Sequence, residues 1–258
     1  MREQRKADRI QILGAEVDPV RVDRAITLTS RYLELNKFEY IVFVNTAAAI
    51  MGQEQEDFAR FLSQAALVLP GDKNIENAIE GNLRIGEDET YQSEYFGRLF
   101  YKLNRMGASV YVMQEKEENL EIIHERFCHR YDRMQIEDTI WKEGENLDNL
   151  VNTINILAPD ILLICGGFAR IERFLHEYGS KINAGLCFCM EEIADGDGRN
   201  IPTWVRKLHL SGLYQWFYEK PRHAWNDSIF KRKMKENDQE QQEIQKESQK
   251  TGEEEKEE

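Results

Sequence analysis

A chain of 258 residues with 41% hydrophobic and 10% aromatic content is long enough for one sizeable α/β core or two small domains. Its net charge of −13 is concentrated at the end, where ten acids and three lysines lie between Glu236 and Glu258; the body is only mildly acidic and lacks the basic face that duplex nucleic acid requires. No run approaches the ~18 apolar residues of a membrane span, the opening MREQRKADRI has no apolar signal stretch, and four cysteines fit reduced thiols, so a cytoplasmic protein is expected.

Residues 10–14 (IQILG) read as a short strand stopped by Gly14. Val22, Ala25, Ile26, Thr29, Tyr32 and Leu33 form an apolar stripe at helical spacing and predict a helix from Pro19 to Leu35. YIVFV (40–44) is a continuous, β-branched run, the pattern of a strand covered on both faces, and it ends at Asn45-Thr46. A helix over 54–66 carries Phe58, Phe61, Leu62 and Ala65; the strand LVLP (67–70) follows and breaks at Gly71-Asp72. Tyr95, Leu99 and Leu103 mark a helix, SVYVM (109–113) a strand, and Leu120, Ile123 and Phe127 another helix. Leu147 to Leu157 is helical and closes at Pro159. ILLIC (161–165) is the most hydrophobic strand, followed by Gly166-Gly167 and a helix through Phe174, and AGLCFC (184–189) is a further strand.

This alternation predicts a Rossmann-like α/β domain over residues 1–202, a mostly parallel sheet with helices on both faces. After the Gly- and Asp-rich loop 190–200 comes an aromatic and basic appendage, 203–234, with Trp204, Arg206, Lys207, Tyr214, Trp216, Phe217 and Tyr218. Such a mixture suits a bilayer interface and equally an amphipathic helix lying on the domain. The tail 235–258 has a single large apolar residue, Ile244, too little to bury, and is expected to be disordered or transiently helical.

Open parallel sheets bind ligands beyond the carboxyl ends of their strands, so the residues just after each strand carry the search. Gly166-Gly167 turns the backbone tightly at a helix N-terminus, a natural seat for a diphosphate, although a plain strand–helix turn explains the pair as well. Asp72 is a well-placed carboxylate among these strand-end residues and also stands where it would N-cap the helix-like IENAIEG. Asn45 stands at the end of the first buried strand, where an Asx residue stabilises a turn. Cys187 and Cys189 point the same way on a strand; with no second Cys/His pair at ligand spacing they read as buried thiols rather than metal ligands. Asp195 and Asp197 resemble half a calcium loop without its later ligands. No G-x-G-x-x-G follows an early strand, against a dinucleotide-binding oxidoreductase.

The order of these pieces resembles the WecB/TagA/CpsF glycosyltransferase family over about residues 8 to 233. The residues that carry the likeness are Leu13-Gly14, Asn45 in VFVNTAAAI, LVLPGDKNI (67–75), Arg84 in LRIG, Pro159-Asp160, ICGGFARIERF (164–174), RNIPTW (199–204) and KPRH (220–223). The resemblance implies inverting transfer of a hexose or N-acetylhexosamine from a UDP-sugar to a polyprenyl-diphosphate-linked sugar in surface polysaccharide or teichoic-acid-type synthesis. It implies no metal or other cofactor, and a peripheral enzyme at the inner leaflet of the plasma membrane; nucleic acid is not an expected partner, and the sequence leaves room for a homo-oligomer. Asp72 would be the base, with Asn45, Arg84, Gly166, Gly167, Glu172, Arg199 and Arg222 binding substrate.

Several positions depart from the family pattern. Phe43 stands where the family has Thr, Gly71-Asp72 reverses its Asp-Gly, and Gln114-Glu115 replaces a Gly-Gly. Ile171-Glu172 replaces Gln-Glu, and Asn200 takes the register of an Arg unless Arg199 serves with one extra residue. These polar changes imply either an altered substrate or a member that keeps the fold as a sugar-nucleotide-binding or partner subunit without catalysis.

Overall fold

A computed structural model describes residues 8–35, 37–79, 90–115, 131–142, 144, 146–191, 228–237 and 239. In chain order the elements are β1 (Ile10–Ile12), β2 (Ala15–Val17), α1 (Val22–Glu34), β3 (Glu39–Val44), α2 (Thr46–Glu54), α3 (Glu56–Gln64), β4 (Leu67–Pro70) and α4 (Lys73–Ala78). They continue with α5 (Tyr91–Met106), β5 (Ser109–Gln114), β6 (Gln135–Ile140), α6 (Leu147–Leu157), β7 (Ile161–Cys165), α7 (Phe168–Tyr178) and β8 (Leu186–Met190), and residues 228–237 form a last helix, α8.

Six strands make one parallel sheet in the order β4-β3-β8-β7-β5-β6. Helices cover the middle strands on both faces, which is why β3, β7 and β8 are almost wholly apolar: every residue of β7 and β8 is buried. The expected α/β sheet is therefore present. Phe43 lies at its centre, 5.2 Å from the Tyr95 ring, 5.1 Å from Phe96 and 6.4 Å from Phe188. Each such buried aromatic contributes about 1.5–3 kcal/mol. Tyr95 meets Thr29 of α1 through its hydroxyl at 2.5 Å, tying α1 and α5 into the same layer.

Three elements, β2, α2 and β6, were not expected from the sequence. The short strand expected at 10–14 is present as β1, and β2 completes an antiparallel hairpin with it, pairing Ile12 with Ala15 around Leu13, whose φ of 52° is left-handed. Gly14 is required by proximity: a Cβ there would stand 1.8 Å from the Gln53 backbone nitrogen and 1.9 Å from the Gly52 carbonyl carbon. The helix expected over 54–66 is present as α3; the helix before it, α2, was not expected, and the two are separated at Gln55, whose backbone is extended. Small residues conceal α2 in the sequence, because Ala48, Ala49 and Gly52 face the hairpin and no large apolar stripe marks the face. β6 also escaped prediction, because as an edge strand it carries Gln135, Glu137 and Asp138 on a half-exposed run.

The other rim, β4, is sealed. Asp18 donates its backbone N–H to Val68 O at 2.8 Å, and its carboxylate accepts Val68 N–H at 2.7 Å. Arg9 closes the arrangement with a buried ion pair to Asp18 at 3.2 Å and a hydrogen bond to Ala65 O at 2.9 Å. Leaving either charge alone in that environment would be costly.

The helix placed on Leu120, Ile123 and Phe127 lies outside the described residues, as do 203–227 of the appendage and 240–258 of the tail. Where the description resumes, α8 packs Phe230 into the core, and Lys233 reaches Glu54 of α2 at 2.8 Å.

Candidate functional site

All six strands run in one direction, so their carboxyl ends share one edge. Across it, in spatial order, come Asp72 after β4, Asn45 and Thr46 after β3, Glu191 after β8, Gly166 and Gly167 after β7, Glu115 after β5, and Trp141 and Lys142 after β6.

The first half of this row is built around two helix N-termini. Asp72 is the N-cap of α4: its Oδ1 accepts the Ile75 N–H at 3.0 Å. Its Oδ2 accepts the Thr46 N–H at 2.6 Å and the Thr46 hydroxyl at 2.7 Å, so the same carboxylate also serves the first turn of α2. Asn74 Nδ2 donates to the Thr46 oxygen at 3.1 Å. Gly71 explains the reversed Gly-Asp order. Its N–H donates to Val44 O at 2.7 Å, and a Cβ would come within 3.0 Å of the Phe43 and Val44 carbonyl oxygens. The glycine sits against β3, and the next residue is the one that reaches Thr46.

Asn45 is the N-cap of α2, with Oδ1 accepting the Ala48 N–H at 2.9 Å, and its Nδ2 donates to Glu191 Oε2. Asn45 is thus both the turn residue and a polar contact on the edge. Glu191 was missed in the sequence; the Met190-Glu191-Glu192 run looked like the start of a loop, and only the sheet order brings it beside Asn45. Behind this half, Glu76 of α4 is buried, accepts the Tyr91 N–H at 2.6 Å and pairs with Lys73 at 3.2 Å. Burial pushes its carboxyl above the usual range, with the Tyr91 and Lys73 contacts opposing.

The second half contains the topological switch point. From β7 the chain crosses toward β8, and from β5 toward β6, so the two connections diverge between neighbouring strands. Gly167 is the N-cap of α7, and its N–H donates to Glu115 Oε2 at 2.9 Å. Arg170, one turn further, donates through Nη1 to Glu115 Oε1 at 3.1 Å and through Nη2 to Lys142 O at 2.6 Å. Its guanidinium lies 4.0 Å over the Trp141 ring. A Cβ on Gly166 would fall 2.6 Å from Glu115 Cδ. Among the described residues, two buried polar atoms at these strand ends, Gln114 Oε1 and Trp141 Nε1, have no hydrogen-bond partner.

Four sequence candidates, Asp72, Asn45, Gly166 and Gly167, therefore stand on one edge. Glu172 lies half-buried in α7, beyond that edge row, beside the fully buried Ile171. Arg84, Arg199 and Arg222 lie outside the described residues. Glu115 and Arg170 were not singled out as site residues.

Cys187 and Cys189 are buried on β8 with their sulfurs 3.8 Å apart, and burial holds the Cys187 thiol well above its ordinary range. Among the described residues, no three His, Cys, Asp or Glu side chains gather as a metal-binding group, and no helix is long and apolar enough to cross a membrane.

Comparison with curated proteins gives no match. A family model, that of the WecG/TagA/CpsF glycosyl transferases, matches residues 10–232 and so takes in the whole parallel sheet and its carboxyl edge. The chain belongs to the WecG/TagA/CpsF glycosyltransferase family, whose members act in cell-surface polysaccharide synthesis.

Proposed function

We propose that the chain transfers a hexose or N-acetylhexosamine from a UDP-sugar to a polyprenyl-diphosphate-linked sugar, with inversion and without a metal ion. The acceptor oxygen attacks the anomeric carbon, the bond from that carbon to the diphosphate oxygen breaks, and UDP leaves with the electron pair. Asp72 takes the acceptor's proton. The observation that supports this assignment is the way Asp72 is held: Oδ2 accepts the Thr46 amide and hydroxyl and Oδ1 accepts the Ile75 amide, which fixes the carboxylate at the strand edge that Asn45 shares. Asn45 and Glu172 orient sugar hydroxyls. The Gly166–Gly167 turn, Arg84, Arg199 and Arg222 offset the charge that develops on the leaving diphosphate. The aromatic and basic segment 203–234 docks the enzyme peripherally on the inner leaflet, where the lipid-linked acceptor resides.

The test is UDP release from a panel of UDP-sugars with a polyprenyl-diphosphate acceptor. Asp72→Asn is expected to lower kcat by on the order of 10²–10⁴, the usual share of a positioned base. Full activity in that variant removes Asp72 from the chemistry.

A second reading draws on Glu115, whose carboxylate already occupies the Gly167 amide. On that reading the chain binds a sugar nucleotide as a sensor or partner subunit and transfers nothing. Calorimetry separates the two: UDP-sugar binding without turnover on any acceptor favours the sensor.

A further inference from the structure

The crevice between the carboxyl ends of β5 and β7 is where an open parallel sheet places its ligand, and the amides at the start of α7 would seat an anion there. In this chain an anion is already present, supplied by the protein itself. Glu115 sets one carboxylate oxygen on the Gly167 N–H at 2.9 Å and the other on Arg170 Nη1 at 3.1 Å. Arg170 is itself fixed by Lys142 O and by the Trp141 ring. Gly166 is what makes room, since any side chain there would meet the Glu115 carboxylate carbon at 2.6 Å. One amide and one guanidinium holding two oxygens is also how a phosphate would be held.

The pair is placed to yield. Both side chains are 27% exposed, so solvent weakens their attraction and displacement exposes no deeply buried charge. Gln114 Oε1 and Trp141 Nε1, on the residues flanking this pair, are buried without a hydrogen-bond partner among the described residues.

We infer that Glu115 is an internal competitor for the donor's diphosphate: it fills the phosphate seat at the start of α7 and must leave before a phosphate enters. Glu115 is then a specificity-determining residue. It weakens every diphosphate ligand, so that contacts to the sugar and nucleoside decide which donor displaces it. This rests on the reading of the chain as a binder of nucleotide-linked sugars.

The experiment is calorimetric titration of the full chain with UDP and, separately, inorganic pyrophosphate, in wild type, Glu115→Gln and Glu115→Ala, each variant first shown to be folded by its thermal unfolding. Removing a like charge from an anion seat is expected to tighten both ligands by about tenfold or more, with Glu115→Gln intermediate because it keeps the bulk and loses the charge. UDP binding that is equal in all three proteins, or weaker in the variants, overturns the inference and leaves the sugar-nucleotide reading standing. Pyrophosphate tightening without measurable binding of UDP or any UDP-sugar supports the competitor and sinks the sugar-nucleotide reading instead. If no form binds pyrophosphate or UDP, the start of α7 is no phosphate seat and the inference is wrong.

Discussion

At the β4–β3–β8 end of the carboxyl edge, carboxylates meet neutral donors; at the β7–β5–β6 end, a carboxylate meets a guanidinium. Asp72 is held by two backbone amides and a hydroxyl, and Glu191 by the Asn45 amide group. Glu115 is held by the Gly167 amide and by the Arg170 guanidinium. Neutral donors fix a carboxylate in place without cancelling its charge. An ion pair cancels the charge and fills the space. The contrast teaches that the two ends of one edge are built differently, one fixing its carboxylates through helix caps and the other through an ion pair.

The largest expected effect comes from breaking the first end. Asp72→Ala removes the cap of α4 and deprives the buried Thr46 of its acceptor, a combined loss of about 2–3 kcal/mol in the urea unfolding free energy. A loss below about 0.5 kcal/mol would show that solvent replaces the carboxylate there and that the cap is incidental.

At the second end the expected effect is smaller and conditional. Gly166→Ala drives a methyl group into the Glu115 carboxylate, so Glu115 must swing out and Arg170 loses its partner, for about 1–2 kcal/mol. In a Glu115→Ala background the same substitution should cost close to nothing. The double-mutant cycle should therefore return a coupling of about 1 kcal/mol; additive losses would mean that Gly166 is needed for some other contact.

The smallest effect sharpens the first end by asking whether its carboxylates behave alike. Burial raises the Glu76 pKa from its ordinary 4.5, so the native state binds a proton more readily than the unfolded chain. Glu76 then favours folding most when protonated, and that contribution is lost as pH rises from about 4.5 through the folded value. Glu76→Gln should flatten the stability profile over that window, measured as urea midpoints at a series of pH values. An unchanged slope would assign the dependence to other groups.

Much of this fold could be read from the sequence because its central strands are apolar on both faces and its larger helices carry stripes of large side chains; β3, β7, α1 and α5 all announce themselves. The elements that were missed lack such marks. α2 buries alanines and a glycine against another backbone, and β6 has one rim unpaired among the described residues, so its charges look like loop. At the site, Asp72 and Asn45 were legible because a strand end followed by a capping residue is a local pattern. Glu115, Arg170 and Glu191 were not. Their roles depend on β5 lying beside β7 and on β8 lying beside β3, and adjacency of strands far apart in sequence leaves no trace in local composition.

Parallel sheets invite growth wherever a strand's outer amides stay unspent, and this one discourages recruitment at both margins by different means. At β4, the backbone and carboxylate of Asp18 already consume the outward-facing N–H and C=O of Val68, with Arg9 locking the latch. At β6, Glu137 and Asp138 would bring like charges together if a second molecule aligned its own β6 alongside. Among the described residues, neither rim therefore offers an uncontested ladder for a second chain to extend.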